Sequence, residues 1–119
     1  IMEHFAATGM VTDSRPIVGV GPHSGDPHFS PDPAADGRIE RGSYVLVDLW
    51  AKLDRPRAVY SDLTRVGFVG ADVPAKVSEV FGVVAAARDA AIEKVRQAFA
   101  AGDDLRGWQV DAAARGVIE

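Results

Sequence analysis

Two aspartates lie inside segments whose other residues are mostly apolar, aromatic or β-branched. Asp48 lies within residues 44–50, and Asp62 lies within residues 59–64. Both segments have the composition of β-strands, and residues 52–57 form a hairpin-like connection between them. A carboxylate on a buried strand is costly unless a cation or several donors compensate it. Two carboxylates on adjacent antiparallel strands can meet on one face, so the chemistry they predict is binding of divalent metal ions.

A structural role is the alternative for this aspartate pair. One aspartate could form a salt bridge with Arg65 or Lys52 while the other caps a turn. By composition alone this alternative is favoured, because structural ion pairs also place carboxylates in strands. The folded structure must therefore show whether the two carboxylates face each other or form separate structural contacts.

Two further side chains could take part in chemistry near these aspartates. His28 lies between Pro27 and Phe29 in a proline-rich loop, where its motion is restricted and it could donate a proton or a hydrogen bond. A surface histidine without function is the alternative. Thr64 follows Asp62 by two positions and so shares its strand face, where its hydroxyl could orient a carboxylate. Threonine also simply favours strands, so this second role stays open.

Length and composition allow one small domain and exclude several classes of protein. The 119 residues are 47% hydrophobic, which disfavours a disordered chain. The net charge of −4 and the scattered basic residues argue against a nucleic-acid surface. Cysteine is absent, so disulfides and thiolate metal sites are excluded. There is no membrane-spanning run and no signal-peptide pattern, so we expect a cytoplasmic protein with no membrane partner.

The hydrophobic patterning predicts an α+β fold, an antiparallel sheet covered by helices. The predicted elements are a helix at 1–7 stopped by Gly9, a strand at 16–21, a proline-rich loop without regular structure at 22–42, strands at 43–53 and 58–69, a helix from Pro74 to about residue 100, and a helix from about Gly107. The apolar stripe of the long helix should pack on the sheet and consists of Val77, Val80, Phe81, Val84, Ala91, Ile92, Val95 and Phe99.

Five segments in order resemble the M24 family of metallopeptidases, which has the pita-bread, or creatinase/aminopeptidase-like, fold. The family includes Xaa-Pro aminopeptidases, Xaa-Pro dipeptidases, methionine aminopeptidases and creatinase. The similar segments are Pro-Ile-Val-Gly-Val-Gly at 16–21, Asp-Pro-His-Phe at 26–29, Ile-Glu-Arg-Gly-Ser-Tyr-Val-Leu-Val-Asp at 39–48, Tyr-Ser-Asp-Leu-Thr-Arg at 60–65 with Gly-Phe-Val-Gly at 67–70, and Val-Asp-Ala-Ala-Ala-Arg at 110–115. The segment around Asp62 is most similar to the Asp-x-Thr-Arg signature of the proline-directed branch.

The resemblance implies a site and a reaction. Residues 1–119 resemble the N-terminal half of the catalytic domain, with no second domain. Asp48 and Asp62 match the first two metal ligands, with Thr64 beside them, and His28 matches the loop histidine that contacts substrate. The implied cofactors are divalent Mn, Co or Zn ions, and the implied substrate is a peptide with proline. The reaction is metal-assisted hydrolysis of the peptide bond.

Three departures from the family pattern limit what this chain can do alone. Trp50 stands where the family usually has glycine, and the connection between the two aspartates is longer than usual. The family's remaining ligands, a histidine and two glutamates, match nothing in this chain. We therefore expect that the chain alone holds metal poorly and is inactive. The start at Ile1 and the helical pattern up to Glu119 indicate a piece of a longer polypeptide, and an uncovered sheet face would favour a homodimer.

Two other functions remain open at this point. The chain could be a non-catalytic module with an M24-like fold that binds a peptide or a protein. It could also be a structural fragment produced by truncation or proteolysis. A downstream histidine and two strand glutamates would favour the peptidase, and their replacement would favour the binding module.

Overall fold

The computed structural model describes residues 1–34 and 36–119. These residues divide into two compact units, Ile1–Ala71 and Asp72–Glu119. We call the first the strand unit and the second the helical unit. In the described residues, the strand unit holds the whole sheet together with one short helix, and the helical unit holds two longer helices.

Every strand of the strand unit pairs with one central strand. The elements in chain order are α1 (Met2–Ala7), β1 (Met10–Val11), β2 (Ile17–Val20), a 3₁₀ turn (Gly21–Gly25), β3 (Tyr44–Leu53) and β4 (Ser61–Phe68). β1, β2 and β4 all run antiparallel to β3. β2 and β4 both pair with the stretch around Leu46, so they flank β3 on opposite edges. The predicted antiparallel pairing of the two aspartate-bearing strands is confirmed.

The two faces of β3 differ because its side chains alternate. On one face, Leu49 and Ala51 share an apolar cavity of about 590 Å³ with Leu63 of β4 and Phe5 of α1. Phe5 and Ala51 are buried there. Asp48 lies on the opposite face. The sheet therefore uses one face for apolar packing against α1 and presents polar side chains on the other.

The loop after β2 is more regular than its prolines predict. A 3₁₀ turn forms at Gly21–Gly25, with Pro22 in its first turn. A short 3₁₀ turn tolerates this proline because the first N–H groups of a helix have no partner within it. The prediction that the whole 22–42 segment lacks regular structure is wrong at this point.

The predicted end of α1 is confirmed, since Gly9 has a φ of 67°.

The helical unit consists of α2 (Ala75–Ala101) and α3 (Gly107–Ile118) packed against each other. Both predicted helices are confirmed. α2 ends at Gly102, whose left-handed φ of 72° suits a residue without a Cβ. Its N-cap is Pro74.

The packed face of α2 contains only part of the predicted apolar stripe. Its buried residues are Ala87 and Ala98, whereas Phe81 and Phe99 are 50% and 81% exposed. Small side chains such as these permit close approach of two packed helices. Part of the predicted stripe, including Val80 and Val84, therefore remains exposed.

No helix in residues 1–34 and 36–119 combines the length and the hydropathy needed to cross a bilayer.

Candidate functional site

The strand register places both aspartates on one face of the sheet. Asp48 on β3 lies directly opposite Thr64 on β4, and Asp62 on β4 lies directly opposite Trp50 on β3. Cross-strand partners share a face, and so do residues two apart on one strand. Asp48 and Asp62 are thus diagonal neighbours, a relation in which Cα atoms are typically about 7–8 Å apart. We call Asp48 and Asp62 the carboxylate pair, and Thr64 lies on the same face beside them.

Thr64 contacts one of the two aspartates directly. Its hydroxyl Oγ1 donates a hydrogen bond of 2.7 Å to Oδ1 of Asp48. The donation fixes the Asp48 carboxylate and leaves Oδ2 available to another partner. An outer donor that orients a ligating carboxylate is a common feature of metal sites.

The salt bridges of the structural alternative do not form in the described residues. The ammonium group of Lys52 lies 5.0 Å from the ring centroid of Tyr60. The Nη1 of Arg65 donates to the backbone carbonyl of Thr64 at 3.1 Å. Neither cation therefore neutralises Asp48 or Asp62, and both carboxylates keep oxygen atoms for another cation.

The two carboxylates are less buried than the strand composition predicts. Asp48 is half-buried, whereas Asp62 and most of β4 are exposed. Solvent therefore offsets much of the desolvation cost that buried carboxylates would carry. β4 is therefore largely uncovered in this chain.

Trp50 and Asp13 extend the polar face of β3. The indole Nε1–H of Trp50 donates a hydrogen bond of 2.7 Å to Oδ1 of Asp13. This bond is the main cause that holds the pKa of Asp13 below its usual range. Asp13 lies in the connection between β1 and β2, which passes the part of β3 between Lys52 and Asp48. Its carboxylate is thus ionised and close to the candidate site.

His28 lies in the loop after β2 and is exposed. Its backbone N–H donates to Oδ1 of Asp26 at 2.9 Å, and the N–H of Phe29 donates to the carbonyl of Asp26 at 3.2 Å. The ring of Phe29 stacks on the ring of His23, with centroids 4.2 Å apart. Among the described residues, His28 makes no hydrogen bond to the carboxylate pair.

The 3₁₀ turn connects the start of this loop to the face of the carboxylate pair. Gly19 pairs with Leu46, so its Cβ position lies on the same face as Asp48. A Cβ built on Gly19 would lie 2.6 Å from the carbonyl oxygen of His23 and 2.9 Å from the backbone nitrogen of Ser24. Only glycine therefore allows the turn to pack so closely on β2. The loop that carries His28 leaves the sheet from this face.

The donors present suit part of a divalent-cation site. Carboxylate oxygens are hard ligands that Mn²⁺, Mg²⁺ and Zn²⁺ all accept. In the described residues, however, no group of three or more His, Cys, Asp or Glu side chains is placed to hold a metal ion. Asp48 and Asp62 can therefore supply two ligands, and a complete site requires others.

The part of the site that sequence analysis misses is the role of Asp13. Asp13 and Trp50 are 37 positions apart. No spacing rule connects residues at that distance. The only sequence signal is the polar segment 12–15, which interrupts two apolar stretches and indicates a turn.

Comparison with known proteins adds an independent finding. The model of metallopeptidase family M24 matches residues 1–119. Proteins named probable dipeptidase PepE, from Mycobacterium bovis and from Mycobacterium tuberculosis, are 32% identical over 118 residues. These matches cover 99% of this chain but 28% of each relative. The chain thus spans little more than a quarter of the length of these relatives.

A solved structure shows the same similarity at the level of the fold. The crystal structure of dipeptidase PepE from Mycobacterium ulcerans superimposes with a TM-score of 0.73 and 32% sequence identity. The superposition covers 98% of this chain and 28% of that chain.

Proposed function

Because the chain belongs to metallopeptidase family M24, we propose that it supplies Asp48 and Asp62 as metal ligands to a peptide-hydrolysing centre. The observation that carries this proposal is the placement of both carboxylates on one sheet face, with a threonine hydroxyl fixing Asp48 at 2.7 Å. The antiparallel sheet with helices is consistent with half of a pita-bread domain. We propose that residues 1–119 are one part of that catalytic domain.

Each residue of the site has a distinct role in this proposal. Asp48 and Asp62 hold Mn²⁺, Co²⁺ or Zn²⁺, and Thr64 orients the Asp48 carboxylate toward the ion. Such ions, when bound, polarise a peptide carbonyl and make water a stronger nucleophile near neutral pH. His28 donates a hydrogen bond to the substrate oxygen on which negative charge develops. The approach of the 3₁₀ turn to Gly19 supports that role, since it anchors the loop of His28 on this face.

The substrate that we propose is a dipeptide or short peptide with proline after the scissile bond. The names of the PepE relatives support a dipeptidase, and the segment Ser61–Arg65, which is similar to the proline-directed branch, supports the proline preference. The complete centre also needs ligands that the described residues do not group with the pair. Hydrolysis therefore requires further parts beyond these two carboxylates.

The test of this function measures metal binding and hydrolysis together. We expect the gene product that contains this chain to hydrolyse Xaa-Pro dipeptides only with Mn²⁺ or Co²⁺ present, and a chelator should abolish the activity. The 119-residue chain alone should bind Mn²⁺ weakly in isothermal titration and show no hydrolysis. Micromolar Mn²⁺ binding with Xaa-Pro cleavage by the chain alone would contradict the proposed division of ligands. Peptide binding by the gene product without any hydrolysis would instead identify a binding module.

Exposed apolar side chains favour self-association of this chain, and we propose a homodimer. Phe99 and Trp108 in the helical unit are 81% and 70% exposed. Large exposed apolar groups commonly mark interaction surfaces. Light scattering at micromolar concentration should give twice the mass of 12.6 kDa, and Phe99→Ser should lower it toward one copy. A wild-type chain that stays monomeric under these conditions would refute the dimer.

A further inference from the structure

The Trp50 indole is the largest side chain on the face of the carboxylate pair. It is half-buried, it lies directly opposite Asp62, and it is two positions from Asp48. Directly opposed side chains in an antiparallel sheet have Cβ atoms about 4.5–5.5 Å apart. An indole at this distance can reach the carboxylate of its cross-strand partner.

The single donor of this indole is already committed elsewhere. An indole ring has one N–H group, and that of Trp50 donates to Asp13 at 2.7 Å. A hydrogen bond to an ionised carboxylate is stronger than one between neutral groups. While Asp13 accepts this proton, the indole N–H cannot donate to Asp62. Among the described residues, no hydrogen bond or salt bridge to the Asp62 carboxylate is formed.

The connection between β1 and β2 holds Asp13 in place. The hydroxyl of Thr12 donates to the carbonyl of Ser14 at 2.9 Å, and the hydroxyl of Ser14 approaches Oδ1 of Asp13 at 3.4 Å. Pro16, which follows, is buried and has a restricted φ. The Asp13 carboxylate is therefore presented to Trp50 by an ordered turn on the β2 side of β3, whereas Asp62 lies on the β4 side.

We propose that Asp13 is a positioning residue that holds the Trp50 indole toward the β1–β2 connection and so keeps its N–H away from the Asp62 carboxylate. The inference rests on the proposed function, because it concerns the access of a metal ion to Asp62. Without Asp13, the indole N–H is released to donate to the carboxylate of Asp62, its cross-strand partner. That carboxylate then has one oxygen fewer to offer a cation.

The test compares three variants of the 119-residue chain by NMR. Asp13→Ala removes the acceptor, Asp13→Asn keeps an acceptor oxygen, and Asp13→Ala with Trp50→Phe removes both the acceptor and the indole donor. The chain has two tryptophans, so Trp50→Phe also assigns the Trp50 indole resonance. The first readout is the set of NOE contacts between the Trp50 ring and the Thr64 methyl group. The second is the Mn²⁺ concentration that broadens the backbone amides of Asp62 and Thr64.

We expect Asp13→Ala to create ring contacts to the Thr64 methyl group and to weaken Mn²⁺ binding about tenfold, as outer-shell changes at metal sites do. Asp13→Asn should resemble the wild type, and the double variant should regain wild-type Mn²⁺ binding. Unchanged NOE contacts in Asp13→Ala would overturn the proposal, and so would unchanged Mn²⁺ binding. If Asp48→Asn leaves the Mn²⁺ broadening intact, the proposed metal role fails, and the NOE comparison still decides whether Asp13 holds the indole.

Discussion

Asp62→Asn in the gene product that contains this chain is expected to lower kcat/KM for Xaa-Pro dipeptides by at least about a thousandfold. A bound metal ion stabilises the transition state by several kcal/mol, and each 1.36 kcal/mol corresponds to a factor of ten in rate. Asparagine keeps the shape of the side chain but removes the negative charge that holds a divalent cation. Asp48→Asn should have an effect of the same order, because both carboxylates lie on one face of β3 and β4. Steady-state kinetics at fixed Mn²⁺ concentration measures the loss.

Thr64 provides the graded control for the two aspartate variants. Thr64→Val removes the hydroxyl that donates to Asp48, so it should lower activity about 10- to 100-fold, which is less than the loss of a ligand. Thr64→Ser keeps the donor and should stay close to the wild type. Asp54→Asn, on the exposed connection after β3, removes a carboxylate outside the site and should leave kcat/KM unchanged. Equal losses of kcat/KM for Asp62→Asn and Asp54→Asn would show that the loss comes from the change in net charge. This result would contradict a metal role for Asp62.

Gly19→Ala is expected to destabilise the strand unit by about 2–3 kcal/mol, the cost of forcing extra atoms into a packed site. The added methyl group would lie 2.6 Å from the carbonyl oxygen and 2.8 Å from the carbonyl carbon of His23. These are backbone atoms, so no side-chain rotation can relieve the clash. The turn itself is held by further bonds, since the hydroxyl of Ser24 donates to the carbonyl of Gly21 at 2.5 Å. Either β2 or the 3₁₀ turn must move.

Gly67→Ala is the matched control for this substitution. Gly67 lies on β4 and pairs with the same central strand, but a Cβ at this position meets no atom within 4 Å. Alanine should be neutral or stabilise the strand by about 0.5–1 kcal/mol, because glycine loses more conformational entropy on folding. Urea unfolding followed by Trp50 emission, in a Trp108→Phe background, measures the strand unit. Equal stability of the Gly19→Ala and Gly67→Ala variants would show that the 3₁₀ turn does not pack on Gly19.

Local patterns in the sequence predict much of this fold. β-branched and aromatic residues around Asp48 and Asp62 predict β3 and β4, whereas the register between the two strands is known only once they pair. Gly102 predicts the end of α2 because few other residues adopt a left-handed φ at low cost. Because alternation along a strand is fixed by geometry, the sequence predicts that the two aspartates can share a face, and the register shows that they do.

Long-range contacts account for what the sequence does not predict. An apolar stripe identifies residues that can be buried, but it does not identify the partner, and the buried residues of α2 are Ala87 and Ala98 rather than Phe81 and Phe99. The hydrogen bond between Trp50 and Asp13 depends on how the β1–β2 connection passes β3. Such contacts arise only once the chain has folded. For the same reason, the exposure of Asp62 differs from the burial that its strand composition predicts.

The most direct test of the central claim is an anomalous difference map from crystals of the gene product that contains this chain, grown with Zn²⁺. The account predicts a zinc peak about 2.0–2.2 Å from a carboxylate oxygen of Asp48 or Asp62, with both residues ligating when two ions are present. Thr64 should retain its hydrogen bond to Asp48 in that structure. Zinc bound at other residues, with Asp48 and Asp62 both unligated, would contradict the claim that these two aspartates form a metal site.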